Sequence, residues 1–596
     1  MKMKNLILGL ITLFYITGCK QDISEKKVAE KPPNIVFILS DDQGWGDLSL
    51  SGNKNLSTPN IDGLGKNGVV FNHFYVSPVC SPTRAEILTG RYAVRGGVYS
   101  TSAGGERLDL DEVTVADYFK EAGYATACYG KWHNGMQYPY HPNGRGFDDY
   151  YGFCSGHWGD YYDPMLEQNG QIVKGEGFII DDLTNKGISF IEQNKDKPFF
   201  LYLPFNTPHA PMQVPDRWWN KFKDKELTSL HHDASKEDIQ FTRAALAMCE
   251  NIDWNVGRIM ETLQKNGLEE NTIVIYLSDN GPNDYRWNGG MKGKKGDTDE
   301  GGIKSPLVMQ WKDQLVAGTV IDNVASSLDF LPTLLDMAGI KPQFKNKLDG
   351  NSLKPLLLAD EQTETDFTNR NIVSHWGGKT SIRNQKYRLD AKNQLFDMEA
   401  DPGQTTNIAE SSVEVFDELK KVKTNWEEQV LTELPEEDNR TFPVGHPDYN
   451  WYQLPARDAI ATGNIVRSNR WPNCSYYTNW LSTTDSIYFE VEVLEDADFE
   501  VIVYYTCKEK DTGVKMDLSF KNAILDFQIN DAHDPPLEGE SNDRYPRKVS
   551  LVKDFKPLNI GKIHLEKGNG NLVLKAKNLP GRNGIDFRLL MLKKVI

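Results

Sequence analysis

The sequence predicts an α/β fold: an α/β/α sandwich around a large, mostly parallel sheet, then a small antiparallel subdomain and an appended β-sandwich. Short β-branched runs alternate with helices of crossover length as far as about residue 370, as expected when helices cover both faces of a parallel sheet. Polar residues recur where these runs end. From about residue 450 onward, alternating apolar positions replace the helices, which is typical of an all-β domain.

Length and composition limit the possible classes of protein. A chain of 596 residues is long enough for two or three domains. Hydrophobic residues make up 39% and charged residues 25%, as in globular proteins. The formal net charge of −17 disfavours a nucleic-acid binder. It also means that an anionic substrate needs a local pocket of positive charge.

The first 19 residues have the layout of an export signal, with a short basic start, the apolar stretch "NLILGLITLFYITG" and the ending "ITGC". This pattern resembles a bacterial lipoprotein signal and predicts lipidation at Cys19. Residues 20–32 then form a charged tether. We expect an exported bacterial lipoprotein, held by a lipid anchor to the membrane, in the periplasm or on the cell surface. The alternative is an ordinary secretory signal with an incidental cysteine.

Four of the apolar runs are predicted to be buried parallel strands: "NIVFILSDD", "YATACYGKWH", "FFLYLPFNTPHAP" and "TIVIYLSDNGP". In chain order, the polar residues at their carboxyl ends are Asp41 and Asp42, Lys131 and His133, His209, and Asp279 and Asn280. Ligands of open α/β sheets bind at this edge. The sequence therefore predicts that these side chains share one site.

The two acidic pairs are the candidate metal ligands. Carboxylate and amide oxygens suit Ca²⁺ or Mg²⁺. Adjacent aspartates at strand ends are also common turn formers, which is the competing interpretation of either pair alone. Two such pairs at one sheet edge favour the metal site.

The stretch "VCSPTRAEILTGRY" predicts a helix that begins near Cys80 and ends at Gly90, with Pro82 in its first turn. The helix dipole and Arg84 would then make an anion-binding site around Cys80. A low-pKa thiolate nucleophile is one interpretation, although a thiol enzyme needs no divalent metal. Cysteines at four other positions lie in apolar or aromatic surroundings, which predicts buried thiols: Cys128, Cys154, Cys249 and Cys507.

The remainder of the chain divides by pattern. The predicted units are a catalytic domain (33–370), a small α+β subdomain of the same unit (371–436), a linker (437–450) and a jelly-roll-like β-sandwich (451–596). The aromatic-rich stretches "HPDYNWYQLP" and "NRWPNCSYYTNW" either stack on sugars or pack the domains together.

Cys80-Ser81-Pro82-Thr83-Arg84 resembles the C-x-P-x-R signature of the type I, formylglycine-dependent sulfatases, of the alkaline-phosphatase-like superfamily. The motifs "NIVFILSDDQGWGD", "GYATACYGKWHNG", "GRGFDDYYGF", "NTPHAP", "SDNGP" and "KGDTDEGGIKSP" follow the family's order over roughly residues 33 to 410. The resemblance implies the alkaline-phosphatase-like fold and hydrolysis of sulfate esters, and suggests a bacterial polysaccharide sulfatase.

The resemblance also implies the cofactors and the roles of individual residues. A maturation enzyme would oxidise Cys80 to formylglycine, whose hydrated form attacks sulfur. One Ca²⁺ would be held by Asp41, Asp42, Asp279, Asn280 and the modified Cys80. Arg84, Lys131 and His133 would fix the attacking group, with His133 also acting as base. His209 and Lys295 would hold the sulfate and protonate the leaving oxygen; Lys295 fits the family spacing to Glu300, with its neighbour Lys294 as the alternative.

Four further residues lie in or near the motifs and are candidates for a sugar subsite, with structural roles as the alternative: His141, Arg145, His157 and Trp287. The predicted substrate is a sulfated polysaccharide or its oligosaccharides, with an algal glycan preferred to animal glycosaminoglycans. One alternative function is a phosphomonoesterase or phosphodiesterase of the same superfamily, which usually carries Ser or Thr as nucleophile. The other is a catalytically idle glycan-binding lipoprotein.

Overall fold

The computed structural model describes residues 31–358, 367 and 369–595. The predicted signal segment, Cys19 and most of the tether lie outside these residues. Within the described part of the chain, no helix combines the length and apolar character that a bilayer crossing requires.

The first sheet has the order β10-β2-β9-β8-β1-β7-β3-β4-β5-β6, with β11 also pairing with β2. Its strands are β1 (Asn34–Asp41), β2 (Val69–Tyr75), β3 (Ala125–Lys131), β4 (Asp149–Phe153), β5 (Met165–Gln168), β6 (Gln171–Lys174), β7 (Phe199–Pro208), β8 (Thr272–Ser278), β9 (Lys304–Trp311), β10 (Thr319–Ile321) and β11 (Ala325–Ser326). The central pairs β8–β1, β1–β7 and β7–β3 are parallel, whereas β9 pairs antiparallel with both β8 and β2. The strands that carry the predicted site residues are therefore neighbours.

Helices cover both faces of this sheet. The described α-helices of the chain are α1 (Pro59–Lys66), α2 (Cys80–Thr89), α3 (Val115–Glu121), α4 (Ile179–Gln193), α5 (Asp216–Phe222), α6 (Ile239–Lys265), α7 (Glu300–Ile303), α8 (Phe330–Met337), α9 (Lys354–Leu357) and, in the small subdomain described below, α10 (Val413–Val430). Successive β1 side chains point to opposite faces: Val36 packs in the core under α4 and α6, and Phe37 in the core under α3 and α8. Burial on both faces explains why β1 is apolar from Ile35 to Leu39.

The small subdomain is an antiparallel sheet covered by α10. Its strands are β12 (Ile372–Trp376), β13 (Lys379–Arg383), β14 (Tyr387–Leu389) and β15 (Leu395–Asp397). It docks on the first domain through Glu300, which accepts hydrogen bonds from Tyr75 Oη at 2.9 Å and Arg388 Nη2 at 2.6 Å. Arg383 lies 3.7 Å from the same carboxylate. Buried charges of opposite sign thus hold the two units together.

The last unit is a β-sandwich with a core between two sheets. Its strands are β16 (Phe442–Val444), β17 (Trp451–Pro455), β18 (Ile460–Ala461), β19 (Val466–Arg467), β20 (Tyr477–Thr478), β21 (Ser486–Val493), β22 (Ala497–Thr506), β23 (Val514–Phe520), β24 (Ala523–Ile529), β25 (Leu537–Glu538), β26 (Val552–Lys553), β27 (Lys556–Leu565), β28 (Gly568–Asn578) and β29 (Asp586–Lys594). β16 lies inside the segment predicted as a linker, because Phe442 and Val444 bury their side chains beside β21. The predicted fold class is confirmed.

We expect Glu300→Gln to lower the free energy of unfolding by about 3 to 5 kcal/mol, because it leaves Arg388 and Arg383 buried without a countercharge. Burial raises the pKa of Glu300, but these arginines outweigh it and lower the pKa to about 2. The stabilisation is therefore present above the ordinary glutamate pKa and is lost as the pH falls toward 2. Thermal unfolding of both proteins across this range measures the difference.

Glu269→Gln is the control for this prediction. Glu269 pairs with Lys312 at the surface, where an ion pair contributes about 0 to 1 kcal/mol. Equal melting temperatures for the two variants would contradict the docking role of Glu300.

Candidate active site

Four ligating side chains meet at the carboxyl edge of the central strands. Asp41 and Asp42 end β1, and Asp279 and Asn280 follow β8. Because β1 and β8 pair in parallel, their carboxyl ends coincide. Ligand atoms of Asp41, Asp42, Asp279 and Cys80 all lie within 4.8 Å of one another, and all four residues are buried. The structure therefore brings both predicted acidic pairs to the cysteine.

A left-handed turn directs Asp42 into this cluster. Asp42 has a φ of 63°, a conformation that costs energy for a residue other than glycine. Its amide donates to Asp279 Oδ1 at 3.1 Å, and its carbonyl accepts from Arg286 Nη2 at 2.9 Å. Arg286 is held in turn by the buried carboxylate of Asp47. Arg286 was not predicted, since no motif separates it from an ordinary loop arginine.

Three cations balance the three buried carboxylates of the cluster. The pairs are Lys131 Nζ with Asp41 at 2.7 Å, Arg84 Nη2 with Asp279 at 2.8 Å and Lys295 Nζ with Asp42 at 2.5 Å. Burial raises the pKa of Asp42, but the charges of Lys295 and Lys131, with a hydrogen bond from Asn280, outweigh it and lower the pKa below its usual range. Burial, with Asp41 as a like-charged neighbour, raises the pKa of Asp279 to about 6.

Three oxygens of the cluster have no hydrogen-bond partner although they are buried: Asp41 Oδ1, Asp42 Oδ2 and Asn280 Oδ1. Burying an unpaired polar atom costs free energy. Carboxylate and amide oxygens are the donors that Ca²⁺ and Mg²⁺ prefer. The donor set therefore fits a divalent cation, whose charge would also leave the otherwise balanced cluster positive.

Cys80 is the first residue of α2, as predicted, and only 3% of its surface is exposed. Burial raises the pKa of its thiol to about 12, in spite of the nearby charges of Lys131 and Lys295. This direction of shift disfavours the interpretation of Cys80 as a thiolate nucleophile. Lys295 Nζ lies 3.3 Å from its Sγ.

The structure separates the two candidate lysines. Lys295 contacts both Asp42 and Cys80, whereas Lys294 Nζ is bonded to Asp284 Oδ1 at 3.2 Å. Arg84 donates to the Lys131 carbonyl at 2.7 Å as well as to Asp279, so its guanidinium is fixed at two points.

Two predicted histidines follow β3 and β7. His133 is buried with a φ of 67°, and its Nε2 lies 2.9 Å from the Thr101 carbonyl, while Nδ1 has no partner. His209 Nε2 lies 3.6 Å from Asp42 Oδ2. Burial lowers the pKa of His133 well below its usual value and lowers that of His209 to about 3. Both rings are therefore neutral near pH 7.

The four candidates for sugar binding have different surroundings. His141 is bonded to Glu167 at 3.2 Å and to Tyr449 at 3.3 Å, and Arg145 donates to a backbone carbonyl. Because these two are buried among internal partners, the structure favours a structural role for them. His157 stacks on His209, with ring centroids 5.4 Å apart, and Trp287 stacks on Trp45 at 6.2 Å. His157 alone of the four is shown in contact with a predicted catalytic residue.

Comparison with known proteins gives consistent matches. The family model "Sulfatase" matches residues 33–340, and that of the C-terminal region of N-sulphoglucosamine sulphohydrolase matches residues 295–433. N-acetylgalactosamine-6-sulfatase of Mus musculus is 32% identical over 373 residues, which cover 56% of this chain and 68% of that protein. Arylsulfatase A of Homo sapiens is 30% identical over 464 residues, 66% of this chain and 87% of that protein.

A solved structure is also similar to this chain. The crystal structure of Ps i-CgsB in complex with k-i-k-neocarrahexaose has 30% identity and a TM-score of 0.61, and covers 68% of this chain and 96% of that one.

We expect Ca²⁺ to raise the melting temperature of protein stripped of metal, because a ligand at a hundredfold excess over its Kd stabilises the folded state by about 2.7 kcal/mol. Asp42→Asn removes a charged ligand and should abolish the increase. Glu167→Gln, in a second buried cluster with His141 and Cys154, should retain it. Differential scanning fluorimetry with and without chelator measures all three proteins, and an equal increase in Asp42→Asn would contradict this assignment of the site.

Proposed function

Because this chain belongs to the sulfatase family, we propose that it hydrolyses sulfate esters on a sulfated polysaccharide or its oligosaccharides, using a formylglycine made from Cys80 and one calcium ion. The observation that carries the proposal is the position of Cys80: it opens α2, lies within 4.8 Å of three carboxylates, and has Lys295 at 3.3 Å. A reactive group at residue 80 would lie beside both the candidate cation site and the positively charged side chain of Lys295.

The charges of the site suit an anionic substrate. Bound Ca²⁺ would polarise the ester and stabilise negative charge on the sulfate oxygens. Arg84, Lys131 and Lys295 already neutralise the three carboxylates. A divalent cation would therefore make the site positive, although the chain as a whole carries a formal charge of −17.

The surrounding side chains have matching roles. Cys80, once converted by a maturation enzyme, would supply the hydroxyl that attacks sulfur. Arg84, Lys131 and His133 would orient that group. The neutral His133 would also accept the proton of the remaining hydroxyl when that hydroxyl expels sulfate and regenerates the aldehyde. Burial lowers the pKa of Lys295, but Asp42 and other neighbours outweigh it and raise the pKa. Lys295 therefore stays protonated, so that it can hold the sulfate and donate to the leaving oxygen, whereas the neutral His209 would have to gain a proton before it could donate one.

The proposed substrate is a carrageenan-type algal oligosaccharide. Its support is the complex of the similar Ps i-CgsB with k-i-k-neocarrahexaose. We also propose that the protein is exported and anchored to the membrane through a lipid on Cys19, on the support of the "ITGC" ending of the signal pattern.

The proposal is tested with protein co-produced with a formylglycine-generating enzyme. We expect the wild type to release sulfate from at least one of a panel of sulfated oligosaccharides, as followed by ion chromatography. Cys80→Ala should release none, because the attacking group is lost, whereas Cys507→Ala in the sandwich should stay active. Mass spectrometry of the peptide with residue 80 records the conversion.

Two results would overturn parts of this proposal. Release of phosphate from phosphomonoesters, with no sulfate from any substrate, would refute the sulfatase function. Equal activity of protein that keeps an unmodified Cys80 would refute the formylglycine mechanism alone.

We expect Lys295→Ala to lower kcat on the order of 10²- to 10³-fold, because the charge next to the reacting group is lost. Lys294→Ala is the matched control, since Lys294 pairs with Asp284 away from Cys80. Its kcat should stay within about twofold of the wild type. Steady-state rates of sulfate release give kcat for both variants, and an equal decrease in kcat in both would contradict the role of Lys295.

A further inference from the structure

The C-terminal β-sandwich reaches the candidate active site through two segments. The first is the 468–476 loop between β19 and β20, and the second is the 530–555 excursion between β24 and β27. Both contact elements that carry the catalytic histidines of the proposed function.

One contact passes through His157. Its ring stacks on His209, with an angle of 14° between the planes. On its other side, His157 Nδ1 lies 2.9 Å from Ser550 Oγ and 3.3 Å from Cys474 Sγ, and Cys474 also donates to the His157 carbonyl at 2.8 Å. Burial lowers the pKa of His157, and its Nδ1 forms a hydrogen bond with the Ser550 hydroxyl. Each of the two segments thus contributes a side chain that fixes the ring behind His209.

A second contact fixes the backbone of His209. The Tyr161 hydroxyl donates to the His209 carbonyl at 3.0 Å, and the Tyr161 amide donates to Gln213 Oε1 at 2.7 Å. Gln213 Nε2 then donates to the Gly539 carbonyl of the 530–555 excursion at 2.7 Å. The sandwich therefore supports His209 from its main chain as well as from its ring.

A third contact reaches His133. The Thr101 carbonyl lies 2.9 Å from His133 Nε2 and accepts from Asn473 Nδ2 at 3.1 Å. Asn473 Oδ1 accepts from the Gly156 amide and from Arg457. Packing here is tight, since a Cβ on Gly156 would lie 2.3 Å from Asn473 Nδ2 and 2.5 Å from His133 Nε2.

We infer that Asn473 and Ser550 are positioning residues for sulfate-ester hydrolysis: Asn473 holds His133 through Thr101, and Ser550 holds His209 through His157. This inference rests on the proposed function. Ser550 has a φ of 64°, where glycine would be favoured. The left-handed backbone at residue 550 would favour glycine, yet the chain carries a serine there, whose hydroxyl bonds to His157.

Ser550→Gly distinguishes a role of the Ser550 hydroxyl in positioning His157 from a role in the stability of the fold. The variant removes the hydroxyl from His157 and relieves the backbone, so we expect an unchanged melting temperature with kcat lowered on the order of tenfold. Asn479→Gly is the matched control, because Asn479 also has a φ of 64° but bonds to the Asn464 carbonyl inside the sandwich. Its kcat should equal that of the wild type.

Asn473→Ala tests the contact from Asn473 through Thr101 to His133. Asn583→Ala is its control, because the Asn583 side chain bonds to Asp511 within the sandwich. We expect kcat to fall on the order of tenfold in the first variant only, with KM little changed, since His133 acts on the reacting group and not on substrate affinity.

The ring nitrogens of the histidines supply a readout that needs no turnover. In protein labelled with ¹⁵N-histidine, we expect the His157 and His209 resonances to shift in Ser550→Gly and that of His133 to shift in Asn473→Ala. The controls should leave these resonances in place. Unshifted histidine resonances, or unchanged kcat in both variants, would overturn the inference. A wild type that releases no sulfate would refute the proposed function instead, while the resonances would still decide the positioning.

Discussion

The burial of three carboxylates at one edge of the sheet is the constraint on which the rest of the site depends. Isolated buried charges are too costly to persist, so each needs a countercharge and further hydrogen bonds. Asp41, Asp42 and Asp279 obtain theirs from Lys131, Lys295 and Arg84, which come from a strand, a loop and a helix. The convergence of these elements explains the electrostatics of the site and places Cys80 beside it.

The charge balance also suits the site to a divalent cation. Three oxygens remain without partners after every cation has been placed. Another monovalent side chain would not satisfy several oxygen donors at once, whereas a divalent ion would. The positive charge that would remain after such binding lies inside a chain whose formal net charge is −17, so the charge of the site would differ in sign from that of the whole chain.

The sequence predicted the parallel sheet and the strand-end residues because both are local features: buried strands are continuous apolar runs, and parallel strands end at a common edge. It also predicted that Cys80 would begin a helix. It did not predict Arg286 or Ser550, because their contacts depend on tertiary packing across long stretches of chain. For His141 and Arg145 the sequence left a sugar-binding and a structural role open, because nearness to a motif in the sequence does not reveal how deeply a side chain is buried; both have internal hydrogen-bond partners in the structure.

The contact between His157 and Ser550 joins positions 393 residues apart, and it can form only after almost the whole chain has been synthesised. Contacts of this separation close slowly, because the entropy of a long loop is lost before they form. Cys80 is only 3% exposed in the finished fold, and its neighbours Asp41, Asp279 and Lys295 belong to the first domain. For the proposed conversion, oxidation of the thiol would therefore have to precede the folding of that domain, well before the His157–Ser550 contact completes the chain.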